Sequence, residues 1–327
     1  MSWKNLTQYC LADALLSNHE SLKELDDVHQ IIDWPEIEGQ LSALYSSKRG
    51  KPAFPPLMMF KVMLLQAWYN LSDPAMEKQL ARDLLFRRFV GLSLSESVPD
   101  HSTIWRFRNL LQKEGLLDSM LERINSQLAR ASLIVTQGSI SIVDATVIEA
   151  KQSRPKKNNK GKNTQDPEAA YTTKKSADGK SKTTYGYKLH ANTDEDGFIK
   201  KLAYSPANDH DSQHFDEVLT GTESAVYADS AYASKKNEKW LGKKSKILYR
   251  AYRNTPLSDA QKAANKLRSG IRSTVERVFG LLKLHHGLSK ARYMGLERNK
   301  CRAQLIAMSH NIKCGLSIYR KMQVDCA

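Results

Sequence analysis

The sequence predicts an α/β protein in which a mixed sheet flanked by helices follows an all-α region. Three patterns support this class: short helices separated by turns before residue 130, β-branched or apolar runs after residue 135, and a long amphipathic helix near residue 275. The chain has 327 residues, enough for two domains. We expect an N-terminal helical segment at 1–45, a helical domain at 46–130 and an α/β domain at 135–320.

Composition limits the kinds of partner and compartment. Hydrophobic residues make up 41% of the chain, and the formal net charge is +15. A strongly basic protein favours a polyanionic partner, although ribosomal and membrane-surface proteins share this balance. The four cysteines show no CxxC spacing and predict free thiols in a reducing cytoplasm. No signal peptide is evident, and the most apolar segment, 57–68, is too short to cross a bilayer.

The helical region begins after a polar stretch, 1–45, to which no chemistry can be assigned. Proline at 55 and 56 opens a helix that is apolar on nearly every side to Leu71, which predicts a buried core helix. Asp73 and Pro74 then start a helix over 75–85.

A third helix of this region starts near Pro99, with Asp100 or Ser102 as its N-cap. One face of this helix is apolar and consists of Ile104, Phe107, Leu110 and Leu111. The opposite, polar face consists of Trp105, Arg108, Asn109 and Gln112. Short helices of this kind suit a helix-turn-helix-like unit whose last helix enters a major groove. A plain helical bundle with a charged outer face remains the alternative.

Two aspartates follow short runs typical of buried strands. Residues 139–143 lead to Asp144, and residues 224–228 lead to Asp229. Carboxylates at the ends of buried strands are where α/β sheets present chemistry, and their oxygens are ligands of the kind that Mg²⁺ prefers. Either aspartate alone is equally well explained as a turn or helix cap.

The long amphipathic helix, 268–283, carries an acid between two bases on one narrow stripe. Glu276 and Lys283 lie four and eleven residues after Arg272. This spacing places the three side chains within about 40° of one another around the helix axis. A solvated salt-bridge stripe is the ordinary explanation of such a pattern. The two aspartates upstream favour a site.

Between these elements lie a basic stretch and a predicted hairpin. Residues 151–182 contain ten Lys or Arg against three acids and almost no large apolar side chains, which predicts a mobile basic insertion. Strands at 184–192 and 198–205 follow, and a helix at 212–219 precedes the Asp229 strand. The resulting order is β-β-β-α-β.

Two further patterns leave alternatives open. His210, His214 and their aspartate neighbours 209 and 211 suit either a transition-metal site or local capping, with capping favoured. The basic segment 235–253 includes Tyr249 and Tyr252, which suit either stacking on unpaired bases or core packing.

The ordered acids resemble those of the DDE transposases of bacterial insertion sequences, in particular the group of insertion sequence number five. Six segments carry the resemblance: IVDATVIEA (142–150), VYADSAYAS (226–234), RSTVERVFGLLK (272–283), WYNLSDPAMEKQL (68–80), PDHSTIWRFRNLL (99–111) and KARYMGLERN (290–299). The third segment fits the family's tyrosine-arginine-glutamate-lysine signature in spacing, except that Ser269 stands where the family has tyrosine.

This resemblance implies a ribonuclease H-like fold and a two-metal site. Asp144, Asp229 and Glu276 would hold two Mg²⁺ (or Mn²⁺) ions, which stabilise the attacking and leaving oxygens of an in-line displacement. Arg272 and Lys283 would bind DNA phosphates. The helical domain would bind DNA ends, with Trp105, Arg108 and Gln112 as the expected contacts.

The implied function is that of a transposase. It would bind the terminal inverted repeats of its insertion sequence, cleave double-stranded DNA at the ends and join the 3′-hydroxyls to target DNA. Two ends must be held together, so a homodimer or larger synaptic assembly is expected in the cytoplasm, at the nucleoid. The alternatives are a sequence-specific DNA-binding regulator and a metal-dependent nuclease without strand transfer.

Overall fold

A computed structural model describes the chain at 19–44, 52–134, 139–152, 156–158, 165–175, 178–252 and 255–325. The chain forms two compact units, one of residues 1–133 with 304–327 and one of residues 134–303. Residues 304–320, which we expected in the α/β domain, therefore belong to the helical unit.

Among the residues described before the sheet there are seven helices: α1 Val28–Ile31, α2 Trp34–Leu41, α3 Pro56–Trp68, α4 Asp73–Arg82, α5 Leu84–Val90, α6 His101–Glu114 and α7 Leu117–Arg130. The expected core helix is confirmed, since almost every side chain of α3 is buried. The helix expected at 75–85 is divided, because Asp83 takes an extended conformation and caps α5 by accepting a hydrogen bond from Phe86 N at 3.2 Å. Asp100 is the cap of α6 and accepts from Thr103 N at 2.6 Å.

The final helix, α11 (Leu296–Asp325), supplies the last part of the helical unit. Ser309 Oγ donates to the Leu64 carbonyl of α3 at 3.0 Å, and Asn311 Nδ2 donates to Asn125 Oδ1 of α7 at 2.7 Å. Both donors are fully buried. Residues 304–312 therefore form part of the interior of this unit.

The second unit contains a five-stranded mixed sheet: β1 Ile140–Glu149, β2 Ala170–Lys175, β3 Ser181–Thr193, β4 Ile199–Pro206 and β5 Ala225–Ala228. Strand β3 pairs antiparallel with β1, β2 and β4, and β5 pairs parallel with β1. The hairpin expected at 184–192 and 198–205 is confirmed by β3 and β4.

Strand β2 lies inside the stretch that we expected to be a mobile insertion, and that prediction was wrong for residues 170–175. These residues pair with β3 along one edge, and the Tyr171 ring packs on Tyr185 with centroids 4.7 Å apart. Thr173 and Thr183 share a hydroxyl hydrogen bond of 2.9 Å across the strands. Polar composition did not prevent a strand here, because cross-strand pairs stabilise it. Residues 153–155, 159–164 and 176–177 lie outside the described residues.

The remaining helices of this unit are α8 Phe215–Val218, α9 Lys235–Leu241, α10 Asp259–His285 and the first part of α11. Helix α10 contains the expected helix at 268–283 but begins nine residues earlier, at a capping box made by Ser258 and Gln261. Its buried apolar residues are Val275, Val278, Phe279 and Leu282, whereas Leu267 is 75% exposed and does not belong to the apolar face. Among the described residues, no helix combines the length and apolar character that a membrane span requires.

Candidate active site

Parallel pairing of β1 and β5 brings the two aspartates together. Val143 is the register partner of Ala228, so Asp144 and Asp229 follow directly on neighbouring strands. Asp229 ends its strand as expected. Asp144 instead lies in the middle of β1, because the β-branched residues after it continue the antiparallel ladder with β3 to Glu149. What ends at Asp144 is the pairing with β5.

Helix α10 supplies the third acid and an arginine that contacts all three. Arg272 Nη2 lies 3.1 Å from Asp144 Oδ2 and 4.0 Å from Glu276 Oε1, and Nη1 lies 3.9 Å from Asp229 Oδ1. The three acids Asp144, Asp229 and Glu276 therefore surround the buried guanidinium of Arg272.

Exposure is graded across these four side chains. The exposed fraction is 9% for Arg272, 19% for Asp144, 44% for Asp229 and 62% for Glu276. Burial raises the pKa of Asp144, Arg272 opposes this rise, and the charges of Asp229 and Glu276 add to it. Asp144 is thus a largely buried carboxylate with two other acids near it.

The donor chemistry of the three acids fits divalent cations, which take hard oxygen ligands. Burial is the main reason for the raised pKa of Asp144, the neighbouring acids add to it, and the Arg272 guanidinium supplies a positive charge that opposes it. Within the part of the chain that the structure describes, no three acids, histidines or cysteines stand in a ready-made metal-binding group. Glu276 and Asp229 are the more exposed of the three acids.

Sequence reasoning missed Tyr232, three residues after Asp229. Its side chain is 1% exposed, and burial together with the carboxylates of Asp211, Asp144 and Asp229 raises its pKa well above the usual value. Tyr232 is therefore a buried, neutral phenol close enough to these carboxylates for their charges to raise its pKa. The only sequence signal was its place in the segment that follows Asp229.

Lys283 lies two turns beyond Glu276, in a cavity of about 620 Å³. Lys174 and Lys182, direct register partners on β2 and β3, line the same cavity, as does Glu149. Burial lowers the pKa of Lys283, and the charges of Lys174 and Lys182 lower it further. Like charges opposite each other on a sheet repel, so this cavity favours an anion.

The three side chains expected on the groove-facing side of α6 have different surroundings. Trp105 is 43% exposed and Gln112 is partly exposed. Arg108 is 3% exposed, and it donates to Asp73 Oδ2 at 3.0 Å and Gln66 Oε1 at 2.9 Å.

The expected DNA contact from Arg108 is therefore corrected. Residue 108 is one turn from both Ile104 and Leu111, so it lies on the buried face of α6. The exposed arginine of this helix is Arg106, which sequence reasoning did not single out.

The histidine-aspartate cluster makes local contacts, as the capping alternative predicts. His210 caps a short 3₁₀ turn by accepting from Ser212 N at 3.3 Å. His214 contacts Glu217 Oε1 at 3.1 Å and Asp209 Oδ2 at 3.3 Å. Lys188 pairs with Asp211 at 2.8 Å.

Comparisons with known families place both units. Residues 136–312, more than half of the chain, match the family model described as "Transposase DDE domain". Residues 11–110 match the family model described as "Transposase domain (DUF772)". No solved structure matches the chain.

Proposed function

The chain belongs to the transposase DDE domain family, and from this premise we propose that it binds the terminal inverted repeats of its insertion sequence, cleaves DNA at the element ends and joins the 3′-hydroxyls to target DNA. Membership makes the chain a transposase, an enzyme that cuts and moves DNA, and its second unit a ribonuclease H-like domain. The predicted fold class is thereby confirmed.

One observation carries the catalytic part of the proposal. Asp144, Asp229 and Glu276 come from two strands and a helix spread over more than a hundred residues, yet one guanidinium lies within 4.0 Å of all three carboxylates. Capping or surface charge does not require acids to converge. We assign these three residues as catalytic.

The family uses divalent metal ions, and we propose that the three acids hold two Mg²⁺ or Mn²⁺ ions. When bound, the ions supply Lewis acidity to the attacking and leaving oxygens of an in-line displacement. Asp144, the most buried acid, provides a fixed anchor on the sheet. Glu276, the most exposed, is free to adjust on α10.

The proposed reaction needs no covalent bond between protein and DNA. A water oxygen bonds to the phosphorus of the scissile phosphodiester while the bond to the 3′-oxygen breaks, leaving a 3′-hydroxyl. That hydroxyl then attacks a phosphodiester of the target, whose own 3′-oxygen leaves. Arg272 neutralises charge on the transferred phosphoryl group from the side of the acids, and Arg does this bidentately.

DNA binding is supported by charge and by two surfaces. The formal net charge is +15, which favours association with a polyanion. Lys283, with Lys174 and Lys182, would hold a backbone phosphate in the cavity beside α10. Trp105 and Gln112 on α6 would contact the element end in the helical unit.

Assembly and location follow from the reaction that we propose. Both ends of an element must be held during joining, so we propose a homodimer or a larger synaptic assembly on double-stranded DNA. The protein would act in the cytoplasm of a bacterial cell, at the nucleoid.

The proposal is tested by incubating the purified protein with a DNA fragment that carries its element's ends, with Mg²⁺ or with EDTA. We expect metal-dependent nicks at the element boundary and products joined to a target plasmid, and neither with Asp144→Asn. Cutting without joining would indicate a nuclease. Specific binding with no cutting under any metal condition would indicate a regulator.

A further inference from the structure

Tyr249 is an exposed aromatic residue at the same sheet edge as the catalytic acids. Lys246 N donates to Val226 O at 2.8 Å and Leu248 N donates to Ala228 O at 3.0 Å, so this segment extends along β5. Asp229 follows Ala228, and Tyr249 follows Leu248. The Tyr249 side chain is 42% exposed at this place.

Two side chains of α10, Asn265 and Arg268, hold Tyr249 and its segment in place. Asn265 accepts from Tyr249 N at 2.9 Å and donates to Tyr249 O at 3.0 Å. Arg268 donates to the Ile247 carbonyl at 2.6 Å, and its guanidinium lies 4.5 Å from the centre of the Tyr249 ring. An exposed ring held in this way loses little conformational freedom when a ligand binds it.

The same helix connects this ring to the active site. Arg268 is one helical turn before Arg272, which contacts Asp144, and one turn advances about 5.4 Å. Residues four apart share one face of a helix, so Arg268, which contacts the Tyr249 ring, and Arg272, which contacts Asp144, lie on the same face of α10. A DNA strand whose phosphate lies at the acids would pass this ring.

We propose that Tyr249, backed by Arg268, stacks on a nucleobase adjacent to the scissile phosphate. This proposal rests on the proposed function. Base stacking on an aromatic side chain tolerates any sequence, because every base has a π-face, and a guanidinium on the ring adds to the attraction. The neighbouring cations Arg250 and Lys246 favour a nucleic acid strand over an apolar protein partner.

Tyr252 offers a matched comparison. Its ring is 63% exposed, and Arg250 lies 6.0 Å from its centre. Its backbone bridges to Thr255 rather than to β5 or α10. It shares exposure and a basic neighbour with Tyr249 but not the position beside Asp229.

The experiment places 2-aminopurine at successive positions flanking the cleavage site and measures its fluorescence in complexes formed in EDTA. We expect one position at which the wild type alters the fluorescence. Tyr249→Leu should abolish this change and weaken end binding roughly five- to hundredfold. Tyr249→Trp should retain it, and Tyr252→Leu should behave as wild type.

An unchanged signal and affinity in Tyr249→Leu would overturn the stacking proposal, provided that thermal melting shows the variant folded. Cleavage by the wild type in Mg²⁺ is measured on the same fragments. Normal cleavage with no Tyr249-dependent signal refutes stacking alone. A wild type that neither prefers the ends nor cleaves them refutes the proposed function as well.

Discussion

The guanidinium of Arg272 lies 3.1 Å from the carboxylate of Asp144, although 128 residues separate them in the chain. The same guanidinium is within 4.0 Å of Glu276 and 3.9 Å of Asp229. It therefore supplies positive charge at the place where divalent ions are expected, and an arriving ion has to share the acids with it or displace it.

We expect Arg272→Gln to lower thermal stability in EDTA, because three acids are then left without their shared cation. Mg²⁺ should restore stability to a greater extent than in the wild type. An affinity gain of tenfold corresponds to about 1.4 kcal/mol of additional stabilisation at saturating ion. Differential scanning fluorimetry across a Mg²⁺ series measures both effects. Arg277→Gln, an exposed neighbour on α10, is the control, and an equal Mg²⁺ response in all three proteins would contradict the prediction.

Glu276→Gln should retain DNA binding and lose cleavage, because it keeps the shape of the side chain and removes its charge. A loss of about 4 kcal/mol of transition-state stabilisation corresponds to roughly a thousandfold in rate. Single-turnover cleavage of a labelled end fragment measures this, with anisotropy as the binding assay. Cleavage near the wild-type rate would remove Glu276 from the catalytic set.

Lys283→Gln should weaken DNA binding evenly across sequences and lower the salt dependence. One lost phosphate contact reduces the slope of log K against log salt by about one. A binding series from low to moderate salt measures this slope. Lys262→Gln, an exposed lysine near the start of the same helix that pairs with Asp259, should leave the slope unchanged, and equal slopes for both variants would contradict the assignment.

Arg108→Gln should destabilise the helical unit, since it breaks a buried pair and leaves Asp73 without its arginine. Breaking a buried ion pair typically costs about 3–5 kcal/mol. Trp105→Ala, at an exposed position of the same helix, should weaken end binding without a comparable loss of stability. Urea denaturation and end-fragment binding separate the two effects. Reversed effects would return Arg108 to the DNA-contacting face.

Much of the site was predictable, because its chemistry lies in short ordered segments. Asp144 and Asp229 each follow a strand-like run in the sequence. Glu276 lies on one stripe of an amphipathic helix. The buried position of Arg108 was not predicted, because we gave its charge more weight than the helical spacing that places it on the buried face. For Tyr249 the sequence left stacking and core packing open, because its exposure and its position beside Asp229 depend on the pairing of its segment with β5 and on its contacts with Asn265.

Stability should fall as the pH drops below about 6.5, in part because of His190. Burial lowers the pKa of His190, and its side chain is 0% exposed, so the folded state keeps it neutral. The unfolded state binds the proton first, and one such group costs up to about 1.4 kcal/mol per pH unit between its unfolded and folded pKa. Denaturation at pH 7.5 and 5.5 measures this.

His190→Gln should flatten that pH dependence, while His101→Gln, an exposed histidine paired with Glu77, should not. An equal slope for wild type and His190→Gln would show that other groups dominate the acid sensitivity.

The C-terminal part of α11 belongs to the helical unit. The helical unit encoded by the first part of the reading frame therefore requires residues encoded at its end. A gene copy with a stop codon after residue 303 would still encode Asp144, Asp229 and Glu276. Its helical unit would lose Ser309 and Asn311, the donors to α3 and α7. Late nonsense mutations should therefore inactivate the element by destabilising the N-terminal helical unit. For the same reason, a single crossover cannot exchange the two halves between elements, because it separates the helical unit from its own α11.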